Sequence, residues 1–245
     1  MCHYGIIGYP LGHSFSARYF NEKFIREGID AEYSLYPIEE LTEERMDTLM
    51  SSLDGFNVTY PYKETVIPYL CGMDKNAKAI GAVNVVYQGI GYNTDFVGFM
   101  QSIQSILRAG DNKALVLGTG GASKAVCYGL TLLGISPTRV SRSGAHEAIT
   151  YEQLDEQTMQ AHSIIVNCTP LGMIPDVESC PPIPYDLIDS RHLLFDCVYN
   201  PEQTVFLTKG KAQGATIKNG MEMLIGQAKA AWEIWGKNKS LKYLS

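Results

Sequence analysis

The stretch NKALVLGTGGASKAVCYGLTLLGISPTRVSRS, residues 112 to 143, limits the fold more tightly than any other part of the chain. An apolar run, a glycine turn, an amphipathic stretch and a second short apolar run predict strand, turn, helix and strand. Two parallel strands joined by a helical crossover commit a chain to an α/β architecture with a buried sheet. The same alternation runs through the rest of the sequence. HYGIIG reads as a strand, RYFNEKFIREG as a helix and AEYSLYPI as a second strand. Thr42 is placed to cap a helix with Glu43 and Glu44 in its positive first turn, running to about Ser51 ahead of a strand in GFNVT that Pro61 stops. GAVNVVYQGIGYNTD predicts a small strand or hairpin, and Asp95 opens a helix through FVGFMQSIQSIL. Further strands are expected at HSIIVNCT, HLLFDCVY and GATIKNG. A last helix, MEMLIGQAKAAWEIW, is apolar on most faces and needs a large surface to pack on. With 245 residues, 45% hydrophobic and 19% charged, the chain can fill one large or two modest domains, and RAGDNK (108 to 113) is the expected boundary.

A formal net charge of −6 argues against a surface that tracks nucleic-acid phosphates, while leaving room for a local basic pocket. Neither nucleic acid nor a membrane is expected as a partner. The cysteines, Cys2, Cys71, Cys127, Cys168, Cys180 and Cys197, are scattered without a C-x-x-C pair or histidines at zinc spacing. They read as reduced thiols, and no metal is expected. MCHYGIIGYP has no charged leader followed by a long apolar core, and no apolar run approaches the roughly 18 residues of a membrane span. A cytoplasmic protein is the expectation, and the N-x-S/T triplets at Asn57, Asn167 and Asn238 are then chance occurrences.

In LGTGGASKA, Gly118 and Gly120 occupy the first two glycine positions of a dinucleotide fingerprint and Ser123 stands at the third. Residues without side chains let backbone amides approach a pyrophosphate at a helix N-terminus, where the dipole favours negative charge. A tight turn alone also uses glycines; the strand before and helix after favour the binding loop. The next strand ends in VSRS, where a site for NAD would show Asp or Glu about 20 residues past the glycines. Arg142 stands there instead, and its planar cation suits a 2′-phosphate, so the sequence favours NADP.

GFNVTYPYKE places Asn57 and Thr59 at alternate positions on one face of a strand end, with Lys63 just past the proline. Strand ends line ligand crevices in α/β sheets, and these groups suit a small hydroxylated, carboxylated molecule. Asn84 in GAVNVV, Asp95 in GYNTD and Ser14 and Ser16 in GHSFS add polar groups in turns. Each alone has a plainer use, the serines and Asp95 as helix caps, the asparagine and lysine in a solvated turn. Together they need a common explanation.

The motifs resemble those of the shikimate dehydrogenase family, in the family's order from about residue 5 to residue 235. GHSFS resembles its H-S-x-S substrate motif, FNVTYPYKE its N-V-T-x-P-x-K-E catalytic motif, and GAVN with YNTD its second substrate pair. LGTGGASKA is similar to its diglycine NADP loop, VSRS to its phosphate clamp, VNCTPLGM to its nicotinamide-side turn and GMEMLIGQA to its closing helix. The resemblance implies Lys63 and Asp95 as the catalytic pair, with Ser14, Ser16, Asn57, Thr59, Asn84, Tyr199 and Gln227 holding substrate. It further implies Gly118, Gly120, Gly121 and Ala122 around the pyrophosphate, Ser141, Arg142 and Ser143 around the adenosine phosphate, and Met221 near the nicotinamide. The plain alternative for Gln227 and Met221 is helix packing.

The chain departs from the family pattern at several positions. Ala17 stands where proline is common, Phe20 where a histidine often follows, Ser141 where the clamp begins with asparagine, and His146 where a second basic residue assists Arg142. Val85 replaces a threonine beside Asn84. NADP preference is therefore the less constrained expectation.

The implied reaction is reversible, NADPH-dependent reduction of the C3 ketone of 3-dehydroshikimate to shikimate, in aromatic amino acid biosynthesis. A proton donor or fixed positive charge beside the developing alkoxide lowers the barrier, and Lys63 can supply either. The implied fold is α/β with two domains. An N-terminal substrate domain (1–98) is completed by the C-terminal helix (220–245), and a Rossmann-type NADP-binding domain spans 99–219, in a monomer or homodimer. Two alternatives stay open: a quinate/shikimate dehydrogenase with relaxed NAD/NADP use, and a non-catalytic sensor of shikimate-type ligands.

Overall fold

The computed structural model describes residues 1–12, 14–145 and 147–236. HYGIIG lies within β1 (Cys2–Gly8), followed by α1 (Phe15–Glu27) and β2 (Ala31–Pro37). Ser16, Phe20 and Phe24 recur every fourth position on α1, so they share its buried face. α2 (Glu43–Ser52) begins where Thr42 Oγ1 accepts the Arg45 backbone N–H at 3.3 Å, with Glu43 and Glu44 in the first turn. β3 (Gly55–Val58) is buried throughout. Beyond it come β4 (Gly72–Met73), α3 (Lys75–Ile80) and a hairpin of β5 (Val85–Tyr87) and β6 (Ile90–Tyr92). Gln88 and Gly89 form the hairpin tip with φ of 50° and 75°, the left-handed pair whose twist matches that of the flanking strands.

These strands make one sheet in the order β2-β1-β3-β5-β6-β4, parallel from β2 to β3 and antiparallel at β3/β5 and β5/β6. Side chains alternate across a strand, so neighbours serve opposite faces. Ile7, Phe56, Val58 and Val86 pack with Met46 and Leu49 of α2, while Tyr4, Ile6 and Val85 pack with Phe20 and Phe24 of α1.

The remaining elements are α4 (Asp95–Gln104), β7 (Lys113–Leu117), α5 (Gly121–Leu132), β8 (Ser136–Ser141), β9 (Ile149–Thr150), α6 (Glu156–Ala161), β10 (Ile164–Asn167), β11 (Leu193–Asp196), α7 (Val205–Ala212), β12 (Thr216–Lys218) and α8 (Met221–Gly236). Their strands form a second sheet in the order β9-β8-β7-β10-β11-β12, every pair parallel. Counted within this region, that is the 3-2-1-4-5-6 order of a doubly wound nucleotide-binding sheet. Its strands are near-continuous apolar runs because both faces are covered: Ala114 and Val116 serve one core, Leu115 and Leu117 the other.

The chain divides into two compact units, one of residues 1–94 together with the described residues from Ala228 onward, the other of Asp95–Gln227. Helix α8 is thus shared: its first seven residues belong with the second unit and the rest with the first. The sequence expectation divides at 98/99 and 219/220. In the first unit Trp235 stacks on Tyr4 at 4.9 Å between ring centroids and donates from Nε1 to the Val86 carbonyl at 3.3 Å. Gly55 permits this approach, since a Cβ there would sit 2.5 Å from the indole nitrogen. The short elements β4, α3, β9, α6 and α7 have no counterpart in the sequence reading. His146 lies outside the described residues, as do His13 of GHSFS and residues 237–245 of the C-terminal segment.

Candidate active site

Ser14 occupies the N-cap position of α1 but makes no side-chain cap bond, so its hydroxyl is not used on the helix. Two residues on, Ser16 is buried and faces the phenol of Tyr33 on β2. The Tyr33 hydroxyl donates to Asn57 Oδ1 at 2.7 Å, and Asn57 Nδ2 donates to the Asn84 carbonyl at 3.1 Å. The Asn84 side chain in turn donates to Thr94 Oγ1 at 3.0 Å and accepts the Thr94 backbone N–H at 2.7 Å. Asn57 and Asn84, far apart in sequence, are therefore joined with Tyr33 in one buried, uncharged chain of hydrogen bonds, and the Ser16 hydroxyl faces the phenol at its end. Burial pushes the Tyr33 phenol well above its ordinary pKa, with the Ser16 hydroxyl opposing the rise. Tyr33 is the member that sequence reasoning missed.

Thr59 follows β3, and its N–H donates to the Ile7 carbonyl at 2.9 Å. Lys63 lies in the turn beyond, which is pinned at two points. The buried Tyr62 hydroxyl donates to the Ile38 carbonyl at 2.5 Å, and the Lys63 carbonyl accepts the Val83 N–H at 2.7 Å, beside Asn84. Asp95, directly after Thr94, is buried at the first residue of α4, where the helix N-terminus favours a carboxylate. Lys63 falls in the first unit and Asp95 in the second.

In the second unit the strand order reverses between β7 and β10, the position at which doubly wound sheets bind ligands. Gly118 follows β7 with φ of 110°, which a side chain would strain, and a Cβ there would come 3.4 Å from the Cys168 carbonyl after β10. Ser123, at the position of the third fingerprint glycine, is fully buried and donates to the Gly118 carbonyl at 2.6 Å, closing the turn on itself. Gly120 is the N-cap of α5 and a Cβ on it would meet no atom within 4 Å, leaving open space over the amides of Gly121 and Ala122 in the first helical turn. At the end of β8, the Ser141 hydroxyl is buried without a hydrogen-bond partner. Arg142 and Ser143 beyond it are exposed, and the Arg142 charge opposes the burial-driven rise of the Tyr151 phenol. A glycine cradle at a helix N-terminus, an orphaned hydroxyl and an exposed cation on the adjacent strand fit a phosphorylated dinucleotide.

Asp196, at the end of β11, is fully buried and accepts from Asn167 Nδ2 at 2.9 Å, the Val198 N–H at 3.0 Å and Thr204 Oγ1 at 2.6 Å. Burial raises its carboxyl to about 6 against these three donors. Asn167 Oδ1 accepts from the Thr169 backbone N–H and hydroxyl, so one carboxyl organises VNCTPLGM, the segment leading to Tyr199, and the N-terminus of α7. Tyr199 is half-buried, and burial raises its phenol. Met221 is half-buried at the start of α8 and Gln227 is buried one and a half turns on. Among the described residues no three His, Cys, Asp or Glu side chains cluster as a metal site, and no helix is long and apolar enough to cross a membrane.

Residues 6–86 match the family model of the shikimate dehydrogenase substrate binding domain. The chain is 37% identical to the shikimate dehydrogenase (NADP(+)) of Methanosphaera stadtmanae, over 96% of this chain and 92% of that one. The chain belongs to the shikimate dehydrogenase family. The likeness extends to solved structures of the family. That of the Aquifex aeolicus shikimate dehydrogenase superposes with a TM-score of 0.86 at 33% identity, covering 96% of this chain and 92% of its own. The Thermus thermophilus shikimate 5-dehydrogenase, solved in complex with NADP(H) and shikimate, gives 0.85 at 27% identity, covering 96% and 93%. Family motifs direct attention to residues expected at the ligands; they do not pick out Tyr33, Asp196 or Thr204, which act on those residues from behind.

Proposed function

We propose that this chain catalyses the reversible, NADP-dependent interconversion of shikimate and 3-dehydroshikimate. It is an oxidoreductase of the shikimate pathway, and full-length likeness to NADP-dependent shikimate dehydrogenases carries the reading. Bound NADP supplies the hydride acceptor in the direction of shikimate oxidation and the donor in reverse. In this reading Gly118, Gly120, Gly121 and Ala122 cradle the pyrophosphate, Ser141, Arg142 and Ser143 hold the adenosine phosphate, and Met221 lies against the nicotinamide. Ser14, Ser16, Asn57, Thr59, Asn84, Tyr199 and Gln227 hold substrate.

Lys63 and Asp95 form the catalytic pair. Oxidation releases the proton of the C3 hydroxyl, and reduction returns it. Lys63 stands at that oxygen, as proton carrier or as the fixed charge that stabilises the alkoxide. Asp95 holds a neighbouring substrate hydroxyl. The substrate domain comprises 1–98 and the C-terminal helix, the NADP domain 99–219. Six unpaired cysteines support a reducing compartment, and we place the enzyme in the cytoplasm as a monomer or homodimer.

The test follows the absorbance of reduced nicotinamide with shikimate and NADP, repeated with quinate and with NAD. The reading expects turnover with shikimate and NADP, and lower kcat/KM when either is replaced. Equal efficiency with quinate and NAD favours a broad quinate/shikimate dehydrogenase. Ligand binding without turnover leaves only a sensor.

A further inference from the structure

Direction is built into the buried chain of the first unit. The Asn84 backbone carbonyl can only accept, so the Asn57 NH2 must face it and Oδ1 must face Tyr33. Oδ1 takes the single proton of the phenol. The Tyr33 oxygen then has only acceptor capacity left for the Ser16 hydroxyl facing it. Asn57 is left with one unused N–H, and a Ser16 proton turned to the acceptor it faces leaves the serine lone pairs for a ligand.

Tyr33 is held to this task from several sides. Its backbone N–H and carbonyl are both bonded to the Asn21 side chain of α1, each at 2.9 Å. Its ring stacks on Phe20 at 4.9 Å with 15° between planes, and only 3% of the residue is exposed. The phenol cannot swing away without leaving a buried polar group unpaired.

We propose that Tyr33 is a positioning residue of the substrate subsite: its proton holds Asn57 Oδ1, steadying the amide so that its remaining N–H meets a substrate acceptor, and its oxygen faces Ser16, so that the serine meets a substrate hydroxyl donor. The inference rests on the dehydrogenase reading and deepens it. Without the phenol oxygen Asn57 Oδ1 loses its donor and the amide is held at the Asn84 carbonyl alone, while the Ser16 hydroxyl loses the acceptor it faces and is free to turn.

Tyr33→Phe deletes that oxygen and keeps the ring on Phe20. Steady-state kinetics are measured for the wild type, Tyr33→Phe, Ser16→Ala and the double variant, with thermal melts of each. The expected result is a KM for shikimate raised about tenfold in Tyr33→Phe, with KM for NADP and the melting temperature little changed. The double variant is expected to be no worse than the poorer single one, because both act through one chain. Unchanged shikimate KM in Tyr33→Phe, equal rises in KM for both substrates, or strictly additive effects would overturn the inference while leaving the dehydrogenase reading intact. A wild-type chain that does not reduce NADP with shikimate overturns both.

Discussion

In the first unit the candidate binding groups are side chains, Ser16, Asn57 and Asn84, drawn from a helix, a strand and a turn, with Tyr33 bonded to Asn57 and facing Ser16. In the second unit they are largely backbone: the turn after β7 offers open space above Gly120, and the Ser123 hydroxyl bonds back to that same turn. The two designs suit different ligands. A small polyol acid is distinguished by where each hydroxyl points, which directed side-chain donors and acceptors can read. A pyrophosphate is a symmetric charge, which amides and a helix dipole meet without any particular side chain.

That contrast can be attacked by substitution, taking the largest expected effect first. Lys63→Ala is expected to lower kcat by about 10²–10⁴-fold, the usual range for a positioned acid–base group. Its NADP affinity, measured by fluorescence titration, should stay within about twofold; a matching loss of NADP binding would break the separation of roles.

Asp196 tests the second unit through stability. Burial lifts its carboxyl from an ordinary 3.8 to about 6, so between those values the folded chain holds a proton that the unfolded chain has released. The contribution of this group is present below pH 4 and lost as pH rises through 6, by about 3 kcal/mol at ~1.4 kcal/mol per unit. Asp196→Asn does not titrate, so its stability relative to wild type should improve by that amount from pH 4 to 7 in urea unfolding. A difference independent of pH refutes the assignment.

Arg142→Ala is expected to raise KM for NADP by about 10–100-fold, the worth of charge-assisted hydrogen bonds to a phosphate, and to leave NAD nearly unaffected. KM for shikimate should not move. Ser123→Ala removes the bond to the Gly118 carbonyl, and about 1 kcal/mol of stability should go with it in the same urea assay. A rise in NADP KM worth more free energy, at ~1.4 kcal/mol per tenfold, than the stability lost would show that the backbone cradle depends on that hydroxyl for its shape.

What could be read from the sequence follows the same division. The glycine turn declares itself because its physics is local: strand, turn and helix are consecutive, and Gly118 with its φ of 110° needs no distant partner. Asn57, Asn84 and Ser16 are visible as polar residues in unusual places, but their linkage is not. The hydroxyl that joins them is 24 residues from Asn57, and AEYSLYP carries a second tyrosine, Tyr36, with nothing nearby to say which phenol turns inward. Asp196 is hidden for a related reason. In HLLFDCVY it reads as the polar end of an apolar strand, and only the return of Asn167 and Thr204 from other elements makes it a hub. The short helices α3, α6 and α7 span 6, 6 and 8 residues, too little for a helical period to rise above chance.

The Asn21 side chain has one more effect. β2 lies at the rim of its sheet, where unpaired amides and carbonyls invite a strand from another molecule to add on. By occupying both main-chain groups of Tyr33, the carboxamide imitates a neighbouring strand for one residue and interrupts the template there. Protection against unwanted self-association is thereby placed on the very residue whose phenol faces the interior.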